Sequence, residues 1–203
     1  MNPCQAREWA VFLSAVVYWG GVWIQSRSIR KKIGRSPNLQ PKTVKEKILW
    51  AGWMLVISGW ALQPWAARQT DSPLFWFCPF FFQPIFFFLG LALVFFAYAM
   101  TIRSYRDMGA SWRIGINEKE KTNLVREGIY RRVRHPIYLF QTLILAGNAL
   151  IFPTLFSVFL VFLHFLLAWI KATDEEAYLL RTLGDDYRRY QNETGRFFPK
   201  LGK

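Results

Sequence analysis

Between positions 136 and 170 the chain carries no Asp, Glu, Lys or Arg; Pro136 opens the run and Pro153 divides it. Residues 136–152 and 154–170 are each about long enough for a tilted helix to cross hydrocarbon. With almost no loop between them they predict a tight helical hairpin, whose two open ends lie on one side of the membrane. That brings Arg134, His135 and Pro136 close to Lys171, Glu175 and Glu176.

The rest of the chain agrees with a bilayer setting. A hydrophobic share of 53% with 19 Phe and 10 Trp is not that of an ordinary soluble domain. The net charge of +13 is confined to segments between apolar runs, so topology explains it and nucleic acid is not an expected partner. A first span is predicted at 9–25, where Gly20-Gly21 suggests close helix packing. Residues 27–47 are strongly basic. A second span at 48–65 carries Ser58-Gly59, again suited to close packing. The connection after it holds only Arg68 and Asp71, which marks it as the outer side. Pro79 and Pro84 break the aromatic stretch from Phe75 to Tyr98 into an outer approach and one crossing at 84–102, and 103–134 is basic again.

The expected fold is therefore all-α: an integral membrane protein with five transmembrane helices, its N-terminus outside and a cytoplasmic C-terminal amphipathic segment. It reads as a single domain over 1–203, with three spans up to 102 followed by a loop, the hairpin and a tail. Cys4 and Cys78 supply neither a disulfide framework nor a metal cluster. No cleavable signal is expected, because Arg7 and Glu8 lead into a long span without a small-residue cleavage site.

The polar chemistry concentrates in Gly128-Ile-Tyr-Arg-Arg-Val-Arg-His-Pro-Ile-Tyr138. Pro136 suits the first turn of a helix, whose free N–H groups attract anions. Arg134 adds a fork of donors for a carboxylate or phosphate. Tyr138 lies on that first turn, and Gly128 permits close approach of backbone to a ligand. The bland alternative is a basic membrane-flanking loop with an aromatic anchor. In the tail, Leu179, Leu180, Leu183, Tyr187 and Tyr190 fall at helical spacing with Gly184 between them, predicting two short amphipathic helices. Adjacent Glu175 and Glu176 at the hairpin mouth suit hydroxyls or an ammonium, or else neutralise nearby arginines. His164 lies inside the fifth span, where a neutral histidine bonded to a neighbouring helix outweighs a catalytic one. No HExxH, nucleophile elbow, P-loop or dinucleotide fingerprint occurs.

Taken together, Gly128-x-Tyr130, Arg134-His-Pro-x-Tyr138, Glu175-Glu176, Leu183-Gly184-x-x-Tyr187-x-x-Tyr190 and Arg196-Phe-Phe-Pro199 resemble the isoprenylcysteine carboxyl methyltransferase family and its bacterial and archaeal relatives. The resemblance covers about residues 124–200. It implies a membrane methyltransferase using S-adenosylmethionine, held by the ends of the last two membrane helices and the C-terminal segment. Cofactor contacts are then implied for Tyr130, Arg134, His135, Pro136, Tyr138, Glu175 and Glu176. Arg134 and the helix start would take the cofactor's carboxylate, Glu175 or Glu176 its ammonium and ribose, and Tyr138 or Tyr187 its sulfonium. Lys171 stands where many members place an arginine, keeping the charge without the fork, and Lys171 with Glu175 forms the expected catalytic pair. A carboxylate acceptor needs no base whereas an amine must first be neutral. Since no strong base stands out, a lipid-soluble oxygen or sulfur nucleophile, such as a prenylated isoprenylcysteine-like compound, is the first expectation. A phospholipid N-methyltransferase and a non-catalytic membrane scaffold are the alternatives.

Overall fold

The computed structural model describes residues 2–34, 41, 43–109 and 124–200. The basic residues Arg35, Lys42, Arg113, Lys119, Lys121 and Lys203 lie outside the described residues. Six α-helices follow in order: α1 (Pro3–Ile33), α2 (Val44–Gln69), α3 (Pro84–Met108), α4 (Pro136–Ile151), α5 (Leu155–Leu183) and α6 (Asp185–Glu193), with short 3-10 turns at Pro73–Phe75, Phe80–Phe82 and Gly128–Arg131. No strand occurs among the described residues; pairing is limited to two isolated bridges, Phe77 with Thr154 and Val133 with Gly195.

The helix ends are set by local chemistry. Asn2 and Gln5 form a reciprocal capping box at the start of α1, and Thr43 and Glu46 form one at the start of α2. Proline occupies the first turn of α1, α3 and α4. Between α4 and α5 stand only Phe152, Pro153 and Thr154; the Thr154 side chain accepts from Ser157 N–H and starts α5. The predicted hairpin is thus present.

Three helices, α1, α3 and α5, are long and apolar enough to cross a membrane. Apolar side chains such as Trp9, Val17, Phe95 and Phe162 stand outward on them, more than half exposed, as a lipid-facing surface requires. Inside, Val11, Ala15, Tyr18, Val56, Trp60, Val94, Ile144 and Leu160 form one core. Several polar groups within it are paired: Ser14 donates to Asn148 Oδ1 at 2.7 Å, Trp60 Nε1 to Ser14 Oγ at 3.1 Å, and Ser157 to Gln63 Oε1 at 2.7 Å. At the closed end of the hairpin the buried Arg7 donates to the carbonyls of Ile151 at 2.7 Å and Phe82 at 2.8 Å. It covers the C-terminal end of α4, where the helix dipole favours a cation.

Several expectations are corrected. The helix after Pro153 does not stop near Ile170; no breaker occurs before Gly184 (φ +55), so α5 continues through the charged stretch to Leu183. Only the second of the two expected amphipathic helices is separate, as α6. Likewise α3 runs past 102 to Met108. Gly20 and Gly21 meet nothing within 4 Å of an added Cβ, so they pack against no other described helix. The close approaches occur elsewhere. A Cβ on Gly90 would lie 2.6 Å from Gly147 O, and one on Gly147 would lie 2.9 Å from Gly90 O. There α3 and α4 touch backbone to backbone.

Candidate functional site

The open end of the hairpin is built around Glu176. About 20 residues of α5 suffice to cross hydrocarbon, so in this helix of 29 residues Glu175 and Glu176 stand on the polar extension beyond the membrane-spanning part. Glu176 is 4% exposed, yet its carboxylate is fully engaged. Oε1 accepts from Arg134 Nε at 2.8 Å and from His135 Nε2 at 3.1 Å; Oε2 accepts from Arg196 Nη2 at 2.7 Å and Gln191 Nε2 at 3.3 Å. Burial alone would raise its pKa, but the bonds from His135, Arg196 and Arg134 outweigh that and hold the carboxyl well below the usual range.

Arg134 is equally committed. Beyond Glu176, its Nη1 donates to the Gln191 carbonyl at 3.2 Å and to the Thr194 carbonyl. The tail lies along the loop like a parallel strand: Arg134 N–H reaches Gly195 O at 2.9 Å, His135 N–H reaches Arg196 O at 3.0 Å, and Gly195 N–H reaches Arg132 O at 3.1 Å. The expected cofactor residues Arg134 and Glu176 are therefore together, but bonded to each other and to the tail.

Glu175 differs. It accepts the Tyr138 hydroxyl at 2.8 Å, with His135 Nδ1 3.6 Å from its other oxygen and a quarter of its side chain exposed. The His135 and Tyr138 rings stack at 5.8 Å, 14° from parallel, and Trp53 from α2 stacks on Tyr138 at 6.4 Å. Lys171, one turn before Glu175 on the same face of α5, is half-buried and has no hydrogen bond or ion pair with a described residue.

The turn at Gly128–Arg131 carries Tyr130 inward, 3% exposed. Its carbonyl accepts the Tyr190 hydroxyl at 2.6 Å, while its own buried hydroxyl has no partner among the described residues. Burial first, then the Tyr190 and Glu175 charges, pushes this phenol well above its usual pKa. Burial likewise raises Tyr190 to about 12. Gly128 has φ +58, and a Cβ there would fall 2.0 Å from Asp107 Oδ2. The Asp107 carboxylate fills that space and accepts Ile129 N–H at 2.8 Å, so the glycine lets the turn dock on α3. Pro136 sits at the first turn of α4, behind His135. Tyr187 is 1% exposed and packs on Tyr190 at 6.0 Å.

His164 is held by Thr142 at 3.0 Å. The Thr142 hydroxyl also lies 2.8 Å from the Tyr138 carbonyl. Sequence reasoning missed Trp53, Asp107, Gln191 and Thr194, which no motif signals. Arg196 was visible in the closing Arg-Phe-Phe-Pro, though without a role.

The family model described as phospholipid methyltransferase matches residues 85–186. That span runs from the start of α3 to the start of α6; it contains Tyr130, Arg134, His135, Tyr138, Glu175 and Glu176, and leaves out α1, α2 and the closing residues of the tail. No curated protein matches the chain.

Proposed function

The chain belongs to the phospholipid methyltransferase family, a membrane methyltransferase acting on lipids, and from that premise we propose that it methylates the nitrogen of a lipid head group with S-adenosylmethionine at the mouth of the α4–α5 hairpin. The family lies in the same clan as the isoprenylcysteine carboxyl methyltransferases that the motifs resemble. The observation that carries the reading is the contrast between the two glutamates: Glu176 is saturated by Arg134, His135 and Arg196, whereas Glu175 has one hydrogen bond, from Tyr138, with His135 Nδ1 at 3.6 Å and a quarter of its side chain exposed.

The residues at the mouth suit the cofactor. The unpartnered hydroxyl of Tyr130 offers a bond to the ribose, and Lys171 offers a cation to the cofactor carboxylate in place of Arg134. The stacked faces of His135 and Tyr138 suit a sulfonium. S-adenosylmethionine supplies a methyl group on that sulfonium, which leaves as a neutral thioether. Glu175 attracts the ammonium of the acceptor, takes its proton so that the nitrogen lone pair is free, and is held in position by the Tyr138 hydroxyl. The aromatic walls align the two reactants and keep water out.

A carboxylate acceptor of the isoprenylcysteine kind fits less well. It would meet the carboxylate of Glu175 while Arg134 and Arg196 are both held by Glu176. In this reading α2 and α4 complete five crossings, the hairpin mouth faces the cytoplasm, and the N-terminus lies outside. The test is to supply labelled S-adenosylmethionine to proteoliposomes containing phosphatidylethanolamine and identify the product by mass spectrometry. A methylated amine is expected. Label recovered as a base-labile methyl ester, or no transfer with bound S-adenosylhomocysteine measurable by calorimetry, overturns the amine assignment.

A further inference from the structure

Away from the mouth, α5 carries a lipid-facing edge. Phe162, Leu166 and Trp169 fall at helical spacing on one face, each about half exposed or more, and the exposed Thr173 continues that face past the charge-free run. Trp169 stands just before Lys171, at the depth where amphipathic rings mark the boundary between hydrocarbon and head groups. The tail ends against this edge. Phe197 is buried on the Phe165 and Trp169 rings at 5.6 and 5.8 Å, while the next residue, Phe198, stands 65% exposed.

Arg196 lies over the same boundary. Its guanidinium covers the Trp169 ring, 4.9 Å from the centroid. It donates from Nε and Nη2 to Glu176 Oε2 at 3.2 and 2.7 Å, and from Nη1 to Thr173 Oγ1 at 3.1 Å. A guanidinium has five N–H groups, so one on each terminal nitrogen is left without an acceptor among the described residues. Charge is left over as well. Arg134 and Arg196 share the single carboxylate of Glu176, and Arg196 is the more exposed of the two, at 26% against 10%. Free guanidinium donors beside a lipid-facing apolar edge suit an anion that carries hydrocarbon, and a phosphate accepts two such bonds side by side. Thr173 and Glu175 are two residues apart on α5, roughly 200° around the helix. An anion at Arg196 therefore arrives on the side away from Glu175.

We propose that Arg196 binds the phosphate of a membrane phospholipid, distinct from the methyl acceptor, whose hydrocarbon lies along Phe162, Leu166 and Trp169. Because the same guanidinium holds Glu176, the bound lipid fastens the tail across the mouth, and closure depends on a phospholipid bilayer. Arg196 and Phe198 lie beyond the matched residues 85–186, and the site is independent of which nucleophile receives the methyl group.

The test is retention of lipid by the purified protein, read by native mass spectrometry. Phosphatidylglycerol is compared with the diacylglycerol of the same chains, which lacks the phosphate. Phosphatidylglycerol has no nitrogen, so it cannot stand in for the amine acceptor. The wild type should hold one phosphatidylglycerol in preference to the diacylglycerol, and its tail should resist limited proteolysis between Gln191 and Lys200 more strongly with that lipid bound. Arg196→Gln should lower retention by roughly ten-fold or more, the worth of a hydrogen bond to a charged group. Thr173→Val leaves Arg196 on Glu176 but frees Nη1 from its anchor, and should lower retention by roughly three-fold; it decides the matter if Arg196→Gln fails to fold. Equal retention of the two lipids, or undiminished retention in the folded variants, would mean that the apolar edge alone holds lipid and would overturn the proposal. Equal protection of the tail by inorganic phosphate would make this a site for a soluble anion and overturn it too.

Discussion

Arg134 Nε donates to Glu176 Oε1 across 2.8 Å, with the two side chains 10% and 5% exposed. Each is also tied to the C-terminal tail, Arg134 through the Gln191 and Thr194 carbonyls and Glu176 through Arg196. The pair therefore fastens the tail across the hairpin mouth.

Removing either partner should act first on the fold. Arg134→Ala leaves a buried carboxylate with Arg196, His135 and Gln191, and Glu176→Gln leaves two guanidinium groups facing a neutral amide. Breaking a buried pair costs about 3–5 kcal/mol. Both variants should lower the thermal midpoint and expose the tail to limited proteolysis between Gln191 and Lys200. A variant of normal midpoint and protease resistance that has lost only cofactor binding would return these residues to direct contact with the cofactor.

Glu175→Gln should behave otherwise. Its partner Tyr138 can still donate to an amide oxygen, so the midpoint and S-adenosylhomocysteine affinity should change little. Methyl transfer should fall by roughly 10²–10⁴-fold, the usual contribution of a positioned general base. Unaltered turnover at neutral pH would exclude Glu175 as the proton acceptor.

At the crossing of α3 and α4 there is no room for a methyl group. Gly90→Ala would set its Cβ 2.6 Å from Gly147 O, so the helices must separate, at a cost of about 1–3 kcal/mol. Gly20→Ala on α1, where nothing lies within 4 Å, should be neutral. Thermal unfolding in detergent separates the two, and equal midpoints would mean that α3 and α4 are not in contact in the protein.

Orientation is tested by single cysteines at Ser72 and Asn192, with Cys4 and Cys78 changed to serine. For five crossings the two should label from opposite sides of sealed vesicles. Labelling from one side would require an even number of crossings between them.

Much of this was legible in the sequence because it depends on near neighbours. Pro136, Pro153 and an unbroken apolar run specify the hairpin, and the hairpin alone brings His135 and Tyr138 to Glu176 and Glu175. What escaped depends on distant partners. A carboxylate beside basic residues looks the same in sequence whether it awaits a ligand or is bound by Arg134 and Arg196, so Glu175 and Glu176 were not separable in role. Gly128 announces a positive φ, but whether a ligand or Asp107 fills the space beside it is decided by α3. The end of α5 was placed too early because Lys171 to Glu176 ends the apolar pattern without ending the helix.

Arg7 bears on how the chain is made. Arg7 is 3% exposed, and among the described residues its guanidinium donates to backbone carbonyls alone, at Phe82, Gln83, Leu150 and Ile151. Translation delivers Arg7 long before the last two of those acceptors. Until α4 has emerged and turned at Pro153, the first helix holds a cation with half its cradle missing. Its docking is therefore among the final steps of assembly, although α1 is synthesised before α2 to α6, and a nascent chain stalled after α3 would present to the insertion machinery a helix not yet locked in place.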